Sequence, residues 1–190
     1  MKQKRRSRTY SPEKATFISA YKIKILWKME VTCIILPKRL GERLREKAEE
    51  IGYLPEELGV ELVRNSLNEE LDPEDLVEHY RALSEKYLAD AKEFLDKDDL
   101  VQVSEKLWGA AALAVKMVAA KRGLKLEKHG SLWDFVSRLS RESGDEELVT
   151  LFIVANGLHR NFYENQMNRE SLEVAIRAIE KLIEKLKSFS

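Results

Sequence analysis

No proline follows Pro73 in this chain of 190 residues. Proline lacks a backbone N–H and collides with the preceding turn, so it ends or kinks helices. Everything after Pro73 is therefore free to form long helices, and the apolar residues there recur with a helical period. Leu76, Tyr80, Leu83, Tyr87, Ala91 and Phe94 mark one stripe, and Leu100, Leu107, Ala111, Ala114 and Val118 mark a second. Leu148, Phe152, Ala155, His159 and Phe162 form a third, and Leu172, Ala175, Ile176, Ile179, Ile183 and Leu186 a fourth. A shorter segment carries Leu132, Phe135, Val136 and Leu139. Start signals stand where these stripes begin: Asp72-Pro73-Glu74-Asp75, Asp99 with Gln102, Ser131 with Asp134, and a capping box of Ser143 with Glu146. Gly123 is placed to end the second segment. Long amphipathic helices joined by short connections pack antiparallel, so residues 71–190 are expected to form an all-α antiparallel bundle.

Residues 21–70 follow a different pattern. Ile23, Ile25, Trp27, Met29, Val31, Cys33 and Ile35 alternate with Lys22, Lys24, Lys28, Glu30 and Thr32. A period of two with β-branched residues predicts a strand. After Pro37 the helical period returns, with Leu40, Leu44, Ala48 and Ile51 on one face and Gly52 as its stop. Pro55 opens the next helix, in which Leu58, Leu62 and Ser66 share a face. Strand, helix and helix make a small ribbon-helix-helix-like extension, read here as a dimerisation segment. DNA contact is the weaker reading, since Glu30, Thr32, Ile34 and Leu36 are poor readers of base edges. Residues 1–20 form a basic, flexible arm with Lys2, Lys4, Arg5, Arg6, Arg8 and Lys14. Such an arm is either a polyanion contact, a solvated tail or an over-long start before Met29.

Composition narrows the function. Lys+Arg and Asp+Glu are both 33, so the chain as a whole has no field to attract nucleic acid. Cys33 is the single cysteine, which excludes an internal disulfide framework and a cysteine-based zinc site. His79, His129 and His159 lack metal-ligand spacing, so neither metal nor cofactor is expected. The longest apolar run, Gly109 to Ala120, is broken by Lys116 and falls short of the ~20 residues of a membrane span. The expectation is a cytoplasmic chain with no membrane partner. Its high charge and low Cys content fit a thermophile. No glycine-rich phosphate loop, paired-acid glycosidase signature or Gly-x-Ser-x-Gly elbow is present.

Two helices carry the residues with chemistry. In the second long segment, Trp108, Ala112, Val115 and Ala119 add a further apolar stripe, which marks a central helix. Glu105, Gly109, Ala112 and Lys116 lie along one line of it, two charges flanking two small residues. That line is either a ligand groove or a tight helix crossing. In the third segment Asn156, His159 and Tyr163 share an edge, with Arg160 one turn from Asn156. They suit an anionic or nucleotide ligand, with His159 and Arg160 as donors and Tyr163 as a stacking or hydroxyl partner. The plain alternative is a structural polar network. His129, in a loop before Gly130, joins the candidate set if a cleft brings it to His159, whereas His79 reads as a surface residue. The candidate binding residues are thus Glu105, Lys116, His129, Asn156, His159, Arg160 and Tyr163. No residue is assigned a catalytic role.

The blocks Ser104-Glu105-Lys106-Leu107-Trp108-Gly109-Ala110-Ala111, His129-Gly130-Ser131-Leu132-Trp133 and His159-Arg160-Asn161-Phe162-Tyr163-Glu164, with Leu71-Asp72-Pro73-Glu74-Asp75 before them, are distinctive. From Met29 onward the chain resembles the archaeal PaREP repeat-encoded family, first type. The resemblance implies an HEPN-like helical bundle. HEPN proteins form homodimers, and many bind nucleotides or cleave RNA within toxin–antitoxin systems. Their nuclease branch carries an Arg followed a few residues later by His on the third main helix. This chain lacks that pair around His159 and Arg160. The resemblance therefore implies a dimeric nucleotide- or nucleic-acid-binding module, possible within a toxin–antitoxin or defence system. A metal-independent ribonuclease using His159 and Arg160 is one alternative. A structural or interaction module with no small-molecule site is the other.

Overall fold

The computed structural model describes residues 34–126 and 129–189, the side chain of His129 excepted, and every regular element among them is a helix. The order is α1 (Lys38–Ile51), α2 (Pro55–Leu67), α3 (Pro73–Asp96), α4 (Leu100–Lys121), α5 (His129–Ser143), α6 (Glu147–Glu164) and α7 (Arg169–Lys187). The expected strand lies, as far as Cys33, outside the described residues, and residues 34–36 hold no regular structure. The basic arm also lies outside them.

Several ends form as local chemistry dictates. Gly52 at φ 77° turns the chain out of α1. The Asp72 carboxylate accepts the Asp75 N–H at 2.8 Å to open α3, and Asp99 accepts from Gln102 at 3.2 Å to open α4. Two expected starts are corrected. Ser143 does not cap α6, because its hydroxyl donates back to the Leu139 carbonyl at 2.8 Å and so closes α5. Gly144 at φ 71° then reverses the chain, and the Asp145 carboxylate accepts the Glu147 N–H at 3.1 Å. Ser131 likewise does not open α5, which begins two residues earlier at His129. Asn168, which the sequence pattern did not single out, caps α7 by accepting from Ser171 at 2.9 Å.

α4 is the axis of the bundle. It packs on α3, α5, α6 and α7, and it is buried without a break from Leu107 to Ala120. Its alanines let neighbouring backbones approach closely, and they leave Leu107, Leu113, Met117, Phe152, Leu158, Leu172 and Ile179 to fill the space between helices. Gly109 marks the tightest approach. A Cβ there would stand 2.4 Å from Tyr87 Cδ1, so the α3–α4 crossing requires glycine. The Ser84 hydroxyl ties the same crossing by donating to the Ala110 carbonyl at 2.8 Å.

α1 and α2 form a hairpin with contacts mainly to each other. Of α1 only Ala48 is buried, and of α2 only Glu57 and Leu58. The hairpin reaches the bundle through long side chains rather than by close helix packing.

Candidate functional site

The bundle carries a ladder of aromatic rings from its core to its surface. Residues four and seven apart on α6 share a face, which aligns Phe152, His159 and Tyr163. Trp108 of α4 meets that face, with ring centres 6.0 Å from Phe152 and 5.0 Å from His159. Trp133 of α5 stands edge-on to Phe152 at 4.8 Å. His159 stands edge-on to Tyr163 at 5.6 Å. Trp108 is buried, His159 half-buried, and the Tyr163 ring ends the ladder 58% exposed.

The polar groups at this edge come from three helices. The Tyr163 hydroxyl donates to Glu49 of α1 at 2.8 Å. Burial, that hydrogen bond, and the charges of Glu49 and Glu105 push the phenol up to about 12. Glu105 thus acts on the same edge, its carboxylate 3.6 Å from the Lys106 ammonium. Arg160 is exposed and pairs with Glu164 one turn on, at 3.2 Å. Asn156 is half-buried two turns before Tyr163. Glu105, Asn156, His159, Arg160 and Tyr163 therefore lie on or beside one edge.

Lys116 is placed elsewhere. It is 5% exposed, and its Nζ donates to both carboxylate oxygens of Glu57 at 2.7 and 2.9 Å. The same ammonium stands 5.1 Å above the Tyr53 ring. The line from Glu105 to Lys116 thus runs under Tyr87 and α2, and its small residues accommodate a helix crossing. His129 is the first residue of α5, and its side chain lies outside the described atoms. A depression of about 600 Å³ lined by Ser137, Ser140, Arg141, Gly144, Glu146 and Val149 contains none of the candidate residues.

Three other polar residues matter more than the pattern suggested. Glu57 holds Lys116 and also accepts the Leu54 N–H at 2.9 Å, closing the start of α2. Asn161 is 3% exposed. Its amide donates to the Ser104 hydroxyl at 2.7 Å while its carbonyl accepts from the Gln166 and Met167 N–H groups at 2.8 Å each. One side chain therefore fixes the end of α6 and ties it to α4. His79 is half-buried rather than on the surface, and its ring lies 5.8 Å from Tyr80. Burial lowers its pKa, against the opposing pull of Glu57. Among the described residues, no cluster of His, Cys, Asp or Glu could hold a metal ion. Nor is any helix there long and apolar enough to cross a membrane.

The model of the archaeal PaREP1/PaREP8 family matches residues 79–183, more than half of the chain. The chain belongs to this family. In this PaREP1/PaREP8 chain the matched span runs from α3 into α7, so it holds the whole aromatic ladder, Gly109 and Asn161. It excludes α1 and α2, and with them Glu49 and Glu57. A crystal structure of a protein from Sulfolobus solfataricus is similar, with 28% identity and a TM-score of 0.51. The match covers 56% of this chain and 95% of that one. No curated protein matches.

Proposed function

We propose that this PaREP1/PaREP8 chain is a dimeric interaction module, an HEPN-like antiparallel bundle that acts as scaffold for the α1–α2 hairpin. One observation carries the reading. The hairpin leaves Leu40 53%, Leu62 53%, Val63 44% and Leu67 65% exposed. The described bundle exposes large apolar side chains only singly, as at Ile153 and Val174. Scattered exposed residues are ordinary, whereas several large apolar side chains left open on one small hairpin point to an interaction surface. The polar groups support the same reading, since Lys116, Asn161, Arg160 and Tyr163 all have partners within the chain. The test is the mass of the full chain by light scattering at micromolar concentration. A dimer that becomes a monomer in the V63E/L67E variant, with unchanged helical circular dichroism, is the expected result. A monomeric wild-type chain would overturn the reading.

A second reading is favoured by the Tyr163 ring, exposed at the end of the ladder. A nucleobase could stack on it, with a phosphate reaching Arg160. Glu49, Glu105 and Glu164 surround this edge and weigh against a polyanion. A single nucleotide is therefore the form to test. Titration with adenosine monophosphate should quench Trp108 fluorescence in the wild type and leave the Tyr163→Ala variant unaffected. Equal response in both would remove this reading. The ribonuclease alternative has less support, because His159 lies between two rings and Arg160 is paired with Glu164.

A further inference from the structure

We propose that His79 is a proton-operated latch: when its buried imidazole takes up a proton, the α1–α2 hairpin loosens from the bundle. The device concerns how the hairpin is held to its own bundle, so it operates in a monomer and a dimer alike.

Position is the first argument. The Tyr87 hydroxyl of α3 donates to Glu56 of α2. Two turns earlier, the Tyr80 phenol is pushed up by burial and by Glu57, Tyr53 and Glu61 of the hairpin. This side of α3 therefore faces the hairpin. Leu76, His79 and Leu83 run along it at steps of three and four. His79 is half-buried there, with its ring 5.8 Å from that of Tyr80.

Hydrogen bonding is the second. The Nε2 atom of His79 is buried and meets no hydrogen-bond partner among the described residues. A neutral imidazole keeps one ring nitrogen as a bare acceptor, whereas an imidazolium carries N–H on both and needs an acceptor for each. The carboxylate whose charge reaches the ring is Glu57 of α2. It already accepts two hydrogen bonds from Lys116 of α4 and one from the Leu54 N–H. Glu61 of α2 is engaged by Arg64 and Lys125, and Glu78 of α3 stands 3.9 Å from Arg81. Tyr53, in the turn before α2, lies under the Lys116 ammonium. Each carboxylate around the ring thus has a cation already. Burial outweighs the pull of Glu57 and holds the imidazole below the ordinary histidine range.

The attachment of the hairpin is the third. Neither α1 nor α2 packs backbone-close on a bundle helix. Lifting the hairpin therefore breaks side-chain contacts rather than interlocked helices, and it gives the imidazolium water. In the lifted form His79 binds its proton near 6.5, as an ordinary histidine does, and in the docked form it binds less readily. Attachment is thus full above about pH 6.5 and weakens as the pH falls below it.

The test is hydrogen exchange of the full chain at pH 7.5 and 5.5, corrected for intrinsic exchange rates. Protection in α1 and α2 should fall about threefold or more in acid while α4 and α6 hold theirs. His79→Gln and His79→Phe should both lose this dependence. Hairpin protection that ignores pH in the wild type overturns the proposal, and so does an equal loss across α4. An acid response that persists in His79→Gln also overturns it, and assigns the effect to His129, His159 or a carboxylate. Should neither variant fold, nuclear magnetic resonance titration of the His79 ring in the wild type decides. A midpoint below 6.5 is expected, and one at or above 6.5 overturns the latch.

Discussion

α4 and α1 are both helices with apolar stripes, yet they end in opposite environments. α4 is sealed from Leu107 to Ala120, while α1 buries only Ala48. α4 is apolar around much of its circumference and has neighbours on every side. α1 is strongly one-sided and leaves part of its apolar stripe in water. The two regions are also held by different forces. The bundle closes on apolar surface, whereas the hairpin attaches largely through carboxylates. Glu49 accepts from Tyr163, Glu56 from Tyr87, Glu57 from Lys116 and Glu61 from Lys125. A pattern of apolar spacing shows that a helix has a face, but burial depends on whether another element is built to cover it.

The largest expected effect tests this division directly. Lys116→Ala leaves the Glu57 carboxylate buried without its cation, a change worth about 3–5 kcal/mol when the surroundings cannot relax. If the hairpin is a separate layer, it will lift and return Glu57 to water. Hydrogen exchange should then quicken in α1 and α2 while α4 stays protected. Uniform loss of protection, with the full cost in a urea melt, would instead make hairpin and bundle one cooperative unit.

Gly109→Ala probes the bundle side. Helix propensity favours alanine by about 1 kcal/mol, but the added methyl collides with the Tyr87 ring. Overpacking costs about 1–3 kcal/mol, so a net loss is expected in chemical denaturation, relieved by adding Tyr87→Leu. A gain in stability would show that the crossing is looser than it looks. Asn161→Ala removes the contacts to Ser104, Gln166 and Met167, and should cost about 1–3 kcal/mol for the polar groups left unpaired. Asparagine restored at this position, but not glutamine, should recover the midpoint.

The smallest effect lies at the seam between the regions. Tyr163 has its pKa raised to about 12 by burial and by its bond to Glu49. The folded state then holds this proton where the unfolded chain, with a tyrosine near 10, has released it. Stability is therefore present below pH 10 and falls between about 10 and 12. Burial raises Tyr80 and Tyr87 as well, so Tyr163→Phe should flatten that slope only in part. An unchanged alkaline slope in thermal melts would mean that the bond to Glu49 does not form in solution.

Much of the fold was legible. The all-α class, the starts of α3 and α4, the stops of α1 and α4 and the central place of α4 follow from period, caps and glycines. The start of α6 departs from the local pattern because Ser143 has two available roles, and the bond to the Leu139 carbonyl prevails. The site was less legible. Asn156, His159, Arg160 and Tyr163 share an edge because one helix carries them. Lys116 shares a line with Glu105 on α4, but its partner Glu57 stands 59 residues earlier. Asn161 sat within a recognised block, yet its role required knowing that Ser104 lies opposite.

The sequence by itself determined that this chain is helical and where most helices begin and end. Those decisions rest on contacts between residues within four or so of each other. Only the tertiary structure decided that Lys116 faces Glu57, that Trp108 stacks against His159, and that the hairpin's apolar face is left open. Each depends on which helix crosses which, and at what point. A local period specifies that a helix has a buried side, but not the neighbour that will cover it.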